Sequence, residues 1–509
     1  MPAFSATELA KWSGGEWTPA EPEMIDGVSN DSRSINGGNL YFALKGEKFD
    51  GHNFVQEAFE KGASGAVVSR RQLAETKGQL EKYSARGEQV KSAMPQGSIS
   101  RQHAPPMLDR QSTMDLPLLC VDDPKKALRD IASAYRLKVD PEIVAITGSA
   151  GKSTVREMTV QILSGTMKTA STYGNWNNDI GLPLSLLAME KSTRIGIFEV
   201  ASNHPGDITD LCDMLKPNWG VVTNVGSAHR EFFESVEAIA HEKACLLKSL
   251  PPDSVAVLNR DGSFFEFLSS MSPAEIITIS ATGDADYVCS KRDPIKKEAI
   301  IEERSTGDRF VLRTRFPGEY SVINSLFAIA VTRRHGVDWE QITAALESYT
   351  LLPMRWERKK INGINIINDA YNANPLSMRA SIKAFGEERV EGRKWLVLGG
   401  MLEMGDQEVN EHLRLGEWIG HCAMLDPSYG KEGEQLDLRI DGGLIVVGLL
   451  GKMIAEGAEN AGYRRLTVFY CENTKEAAET ITENVSTGDA VFLKASRGIR
   501  LENIIGALL

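Results

Sequence analysis

No stretch of the 509-residue sequence approaches the roughly 20 consecutive apolar residues that cross a bilayer. The opening MPAFSATELAKWSGG also lacks a basic segment ahead of an apolar core. Membrane insertion and export by a visible signal are therefore not expected, and a cytoplasmic protein is. Cysteine is scarce: Cys120, Cys212, Cys245, Cys289, Cys422 and Cys471 lie far apart, without the paired spacing of a zinc site or a redox pair, so reduced, packed thiols are expected. Positive charge is in deficit as well. The 57 Lys and Arg against 69 Asp and Glu leave a net charge of −12, which argues against a nucleic-acid partner, because phosphate-backbone binding needs clustered cations. No repeat or heptad is evident, so solenoids and coiled coils are excluded.

The hydrophobic share of 42% and the charged share of 25% are those of an ordinary globular protein. At roughly 100–200 residues per domain, this length predicts three domains, and a monomer is expected. Residues 1–117 read as a small α/β module with a strand at 40–44 and a helix from about Asn53 to Gly62. Within it, residues 70–115 are rich in Gln, Ser, Lys, Arg and Pro without periodicity, and read as a mobile insertion. Residues 118–352 alternate short Val/Ile-rich runs with amphipathic helices, which predicts a doubly wound parallel sheet. The alternation restarts after Pro353 with INIIND, KWLVLGG, LIVVG, LTVFY and AVFLKAS, so residues 353–509 read as a second, Rossmann-like doubly wound domain. The polar stretch from Leu425 to Asp441 reads as a surface excursion.

The string VAITGSAGKSTVREM, Val144 to Met158, is where chemistry first shows. The common phosphate loop has four residues between its first glycine and Gly-Lys; here Ile146 stands where that glycine belongs, and only Gly148 is available. The strand EIVAIT before it and the helix after it still gather backbone N–H groups and the positive end of a helix dipole at one spot. Gly148, Ser149, Ala150 and Gly151 would cradle phosphate, Lys152 would supply a point charge, and Ser153 or Thr154 a hydroxyl for Mg²⁺. Two further residues fall at strand ends, where open α/β sheets hold ligands: Glu199 after RIGIF, a hard carboxylate suited to Mg²⁺, and His229 after WGVVTNVGSA. Lys243 follows in a helix.

Together these residues resemble the Mur ligases, the ATP-dependent amide-forming enzymes of peptidoglycan synthesis. TGSAGKST is similar to the family's short loop, STYGNWNNDIGLPLSLL to its asparagine-rich segment, and EVASNHPGDI to its acidic strand end. GSAHREFFESVEAIAHEK resembles the stretch carrying the metal-binding histidine and the carbamoylated lysine, which fall on His229 and Lys243. NDAYNANPLSMRASI looks like the signature of the branch that adds D-alanyl-D-alanine, and DSRSINGGNLYFALKGEKFDGH like the uridine-nucleotide-binding amino-terminal domain. LGGMLEMGDQEVNEH and LKASRGIRLEN resemble carboxy-terminal motifs. The chain departs from the family at Tyr320 and Ser321, which replace polar residues ahead of Asn324, at Gly400 in place of Asp, and at Ala495 in place of Gly.

The resemblance implies that ATP phosphorylates the terminal carboxylate of UDP-N-acetylmuramoyl-tripeptide and that D-Ala-D-Ala attacks the acyl phosphate. Lys152 would hold the transferring phosphate; Ser153 with Glu199 would hold one Mg²⁺, and His229 with carbamoylated Lys243 a second. Asn324, Arg355 and Asp369 would contact ATP, the aspartate at a ribose hydroxyl. Asp31, Ser32, Arg33 and His52 would contact the nucleotide sugar, Asn175, Asn177 and Asn178 the muramoyl substrate, and Tyr371, Asn372 and Asn374 further substrate atoms. Plainer readings exist for several: Asp369 as a helix N-cap, Arg355 as a surface charge, Asp31 to His52 as turn residues, and the asparagines as loop caps. Another Mur-type amino-acid ligase, or a nucleotide-binding regulatory protein without turnover, are the alternatives for the chain as a whole.

Overall fold

The computed structural model describes residues 2–80, 116–228, 230–314, 317–423, 438, 440–461 and 467–509. The chain divides into two compact units: residues 1–143, 168–200 and 210–216 form the first, and 144–167, 201–209 and 217–509 the second. Among the described residues no helix is long and apolar enough to cross a membrane.

The first unit holds a five-stranded sheet in the order Glu16–Thr18, Leu118–Val121, Gly65–Ser69, Leu40–Phe42, Val28–Ser29, parallel except for its first pair. Strands buried on both faces read as continuous apolar runs, and LYF, GAVVS and LLCV are fully buried. Tyr41, Val55, Phe59 and Val68 lie at the centre of their core. The helix Pro124–Val139 starts where Asp123 accepts the N–H groups of Lys125 and Lys126, with proline inside the first turn, and stops at Asp140 in the left-handed conformation. The insertion predicted over 70–115 does not begin at Arg70. Residues 70–72 form a 3-10 turn, 73–80 continue as helix, and Leu80 is buried against the core with Leu73 beside it. Apolar anchors outweigh polar composition there; residues 81–115 lie outside the described ones.

In the second unit, residues 144–147 of the strand Glu142–Thr147 pair in parallel with Trp219–Val222, and Val255–Asn259 and Glu275–Ser280 follow in that order. Tyr287–Asp293 continues the sheet in parallel, and Glu298–Glu303 and Asp308–Arg313 add two antiparallel strands. This hairpin edge replaces the purely parallel sheet expected from the alternation. A second, six-stranded sheet follows in the order Glu357–Ile361, Ile364–Asn368, Ala490–Lys494, Lys394–Leu398, Gly443–Val447, Val468–Cys471, parallel after its first pair. All five strands expected beyond Pro353 form. The stretch from Leu425 to Asp441 is not wholly an excursion: Leu438 and Ile440 are buried, and Asp441 accepts the Lys394 N–H at 2.9 Å. The α/β class and the doubly wound sheets follow the sequence.

Candidate functional site

The strand Glu142–Thr147 delivers the chain to a glycine loop, and the helix Lys152–Ser164 leaves from it. Gly148 has φ +148° and Gly151 φ +85°, which side-chain residues rarely adopt. A Cβ on Gly148 would lie 1.9 Å from Thr223 Oγ1, and one on Gly151 2.6 Å from Asn324 Oδ1. The loop is also tied from below. Ala150 N–H donates to Asn224 Oδ1 at 2.9 Å, Thr223 Oγ1 donates to the Ala150 carbonyl at 2.6 Å, and the Ser149 hydroxyl donates to the Gly226 carbonyl at 3.0 Å. The helix has no side-chain cap at Gly151, and the positive end of its dipole faces the glycine loop. Lys152 Nζ folds back onto the Gly148 carbonyl at 2.7 Å, and Thr154 is buried in the first turn. The cradle is shaped for an anion.

Arg355 donates to Ser153 Oγ at 3.0 Å and lies 4.1 Å over the Tyr371 ring. Its Nε is buried without a hydrogen-bond partner, an orphan donor of the kind a phosphate oxygen satisfies. Its neighbours Met354 and Trp356 have φ +57° and +58°, each at a cost of about 1–3 kcal/mol, so the turn is held by its surroundings. Asp369 is one of those surroundings. Its Oδ1 accepts the Trp356 N–H at 3.1 Å, and its Oδ2 accepts from Ser381 Oγ at 2.8 Å and Lys494 Nζ at 2.6 Å. Both oxygens are engaged by protein, which gives Asp369 a clamping part in this turn. It is not an N-cap: Asn374 caps the helix Pro375–Glu387 in a capping box with Ser377. Asn374 Nδ2 further donates to the Ser149 carbonyl at 3.1 Å, and Asn372 Oδ1 accepts the Ala373 N–H at 2.9 Å. The predicted substrate asparagines of this string thus brace the phosphate loop and their own turn.

Lys243 is buried on the helix Val236–Lys248. Burial, and after it the nearby charge of Lys152, pushes its ammonium down to about 7, against a smaller opposing effect of Glu242. Glu242 itself accepts the N–H groups of Gly206 and Ile208, both at 2.8 Å. His229 lies outside the described residues. Among the described residues no three His, Cys, Asp or Glu side chains cluster to hold a metal. An ammonium at Lys243 does not fit a metal; a carbamate oxygen does.

In the first unit Glu199 ends the strand Ile195–Glu199 and is buried, its Oε2 accepting from Asn177 Nδ2 at 3.3 Å. Asn178 Oδ1 accepts the Ile180 and Gly181 N–H groups, so it caps its loop, while Asn175 is exposed. Asp31 caps the turn Ser32–Ser34 and pairs with exposed Arg33 at 2.8 Å, and Ser32 donates to Glu57 at 2.8 Å. His52 departs from its expected role. It is buried, with Nδ1 2.7 Å from Asp50 and Nε2 accepting the Ser69 N–H at 3.0 Å, so neither ring nitrogen is left for a nucleotide.

The departures from family pattern are accommodated locally. Ser321 is buried and donates to the Gly318 carbonyl at 2.7 Å, while burial, then Asp369 and Glu388, raise the Tyr320 phenol well above its ordinary value. A Cβ on Gly400 would meet Leu450 at 2.8 Å, and one on Gly399 would meet the Ala495 Cβ at 2.9 Å. Gly400→Asp is therefore expected to destabilise the chain by about 1–3 kcal/mol through overpacking, read as a lower Tm. Sequence reasoning missed Thr223, Asn224, Ser381 and Lys494; Thr223 and Asn224, just after the strand Trp219–Val222, and Lys494, at the end of Ala490–Lys494, carried the positional signal of a strand's carboxyl end.

Residues 24–136, 146–332 and 354–497 match the family models described as Mur ligase family catalytic domain, Mur ligase middle domain, and Mur ligase glutamate ligase domain. The sequence is 31% identical over 490 residues to UDP-N-acetylmuramoyl-tripeptide--D-alanyl-D-alanine ligase of Bacillus subtilis (strain 168), over 96% of this chain and 94% of that one. A crystal structure of MurF from Acinetobacter baumannii superposes with TM-score 0.79 at 25% identity, covering 100% of this chain and 99% of that one. MurF ligase from Thermotoga maritima in complex with ADP superposes with TM-score 0.71 at 25% identity, covering 95% and 97%.

Proposed function

Because the chain belongs to the Mur ligase family, we propose that it joins D-Ala-D-Ala to UDP-N-acetylmuramoyl-tripeptide, with ATP converted to ADP and phosphate. It is an ATP-dependent ligase of peptidoglycan synthesis. One observation carries the reading: Asn374, inside the string typical of the D-alanyl-D-alanine-adding branch, bonds the Ser149 carbonyl of the phosphate loop. The proposed division is 1–117 for the UDP-substrate domain, 118–352 for the ATP domain and 353–509 for the acceptor domain. The enzyme is taken to work in the cytoplasm as a monomer, without a nucleic-acid partner.

A carboxylate and an amine do not condense in water, because hydroxide leaves poorly and a carboxylate is a poor electrophile. Phosphorylation changes both. The tripeptide carboxylate attacks the γ-phosphorus and ADP leaves; the amine of D-Ala-D-Ala attacks the acyl carbon, and phosphate leaves through a tetrahedral intermediate. Phosphoryl transfer of this kind is mostly positioning and charge stabilisation. The loop N–H groups and Lys152 hold the transferring phosphate, and Arg355 brings a second cation with a free Nε–H. Two anions about 4 Å apart repel by about 4 kcal/mol at an effective dielectric near 20, which these charges offset. Ser153, Glu199, His229 and carbamoylated Lys243 are the proposed ligands of Mg²⁺, which neutralises phosphate charge when bound. Asp31, Ser32 and Arg33, with the asparagine-rich loop of Asn175 and Asn177, are the proposed contacts of the UDP-linked substrate, and Tyr371 stays beside the nucleotide.

The test is phosphate release measured with each substrate omitted in turn. Release requiring both UDP-muramoyl tripeptide and D-Ala-D-Ala is expected, and hydrolysis indifferent to the acceptor would sink the proposal. Running tripeptides that end in diaminopimelate or lysine fixes the third residue.

A further inference from the structure

We propose that Lys494 is a positioning residue for Arg355, acting through Asp369. The side chain of Lys494 is 4% exposed. Its Nζ donates to Asp369 Oδ2 at 2.6 Å, to the Asp369 carbonyl at 3.3 Å and to the Asn372 carbonyl at 3.2 Å. All three ammonium donors are spent on the turn between the strand Ile364–Asn368 and the helix Pro375–Glu387. An ammonium so placed is no ligand group. It fixes a loop.

What the loop fixes is the strained turn around Arg355. Left-handed conformations at Met354 and Trp356 persist only where neighbouring bonds over-determine them. Beside the Arg355 N–H to Leu352 carbonyl bond inside the turn, three bonds hold Met354 and Trp356 themselves: Trp356 N–H to Asp369 Oδ1 at 3.1 Å, Tyr371 N–H to the Met354 carbonyl at 3.1 Å, and Met354 N–H to Glu357 Oε2 at 3.2 Å. Two of the three come from the loop that Lys494 holds. The same loop presents Tyr371, over whose ring the Arg355 guanidinium lies, and Arg355 reaches Ser153 on the phosphate loop. Lys494 therefore connects a central strand of the six-stranded sheet to the phosphate cradle by Asp369, Trp356 and Arg355 in turn. Ser381, which shares Asp369 Oδ2, serves the same end. A lysine at this position sets the aim of an arginine it does not touch.

The inference rests on the ligase reading only for what Arg355 serves. The experiment uses the full chain and two readouts: ADP binding in the presence of Mg²⁺ by calorimetry, and kcat and KM for ATP. Lys494→Met is expected to weaken ADP binding and raise the KM for ATP by roughly tenfold or more, the factor that corresponds to one lost charge-assisted bond. Lys494→Arg is expected to recover most of that loss. In an Arg355→Ala background, Lys494→Met should add less than about twofold, since residues acting through one another are not additive. Independent, multiplying losses in the double variant overturn the inference, as does a Lys494→Met protein that binds ADP like the wild type. Should Lys494→Met fail to fold, Ser381→Ala carries the same test: a smaller loss of ADP binding that vanishes in the Arg355→Ala background supports the inference, and one that multiplies overturns it. Wild-type protein without acceptor-dependent turnover but with the non-additive ADP binding would refute the ligase reading alone.

Discussion

Lys243→Ala is expected to lower turnover by about a thousandfold or more, the scale on which buried groups that stabilise developing charge act. The lysine is buried, and its ammonium is pushed down to about 7 by that burial and by Lys152. A neutral amine has the lone pair that adds to CO₂, giving a carbamate and releasing one proton; an ammonium has none. Carbamate, and with it activity, is thus expected to rise as pH climbs through about 7 and to fall below it. The folding linkage has the same sign. The native protein binds fewer protons at this site than the unfolded chain between about 7 and the ordinary lysine value near 10.4, so this site's penalty on stability is full below pH 7 and relieved as pH rises across that window. Short-chain carboxylic acids added to Lys243→Ala are expected to restore part of the activity by returning an anionic oxygen to the gap. Wild-type turnover in the alanine variant would remove the carbamate from the proposal.

Gly148→Ala carries the second large effect. The added methyl would sit 1.9 Å from Thr223 Oγ1, and the backbone there has φ +148°. Thr223 is not free to swing away, because its hydroxyl holds the Ala150 carbonyl at 2.6 Å. Either the loop opens or the bond breaks, and both disperse the N–H groups that cradle phosphate. A loss of ADP affinity of roughly a hundredfold is expected by titration calorimetry, the scale of two lost hydrogen bonds to a charged ligand. Thr223→Ala in the same chain removes the clash but neither the backbone strain nor the missing tie, so it is expected to return only part of the affinity. Full recovery would mean that the φ of Gly148 is immaterial.

These effects trace to what the sequence makes plain. Glycine next to Lys-Ser between a buried strand and a helix states a phosphate loop in a few adjacent letters, and the five apolar runs after Pro353 state their strands through sheer burial. The edge of the first sheet is less legible. Asp308–Arg313 is mostly exposed and charged, and Glu298–Glu303 buries Glu302 and Glu303 beside its short apolar centre, so neither run has the apolar continuity of a buried parallel strand. Glu357–Ile361, with the sequence ERKKI, hides for the same reason. In the site, individual residues at strand ends were legible and their partnerships were not. Asp369 and Lys494 are 125 residues apart, and only the closed sheet puts them 2.6 Å from each other. His52 reads as a ligand group by type, yet Asp50 and the Ser69 N–H take both nitrogens. Asn374 reads as a substrate contact and is a helix cap that also ties the phosphate loop.

The central claim is that phosphate is bound here in order to activate a carboxylate, and an oxygen label follows that step directly. The tripeptide is prepared with ¹⁸O in its terminal carboxylate and turned over with ATP and D-Ala-D-Ala, and the released phosphate is read by mass spectrometry. Passage through an acyl phosphate predicts one carboxylate oxygen in each phosphate released, since the bond broken by the amine is the carbon–oxygen bond. Phosphate free of label, with amide product formed, would contradict the account.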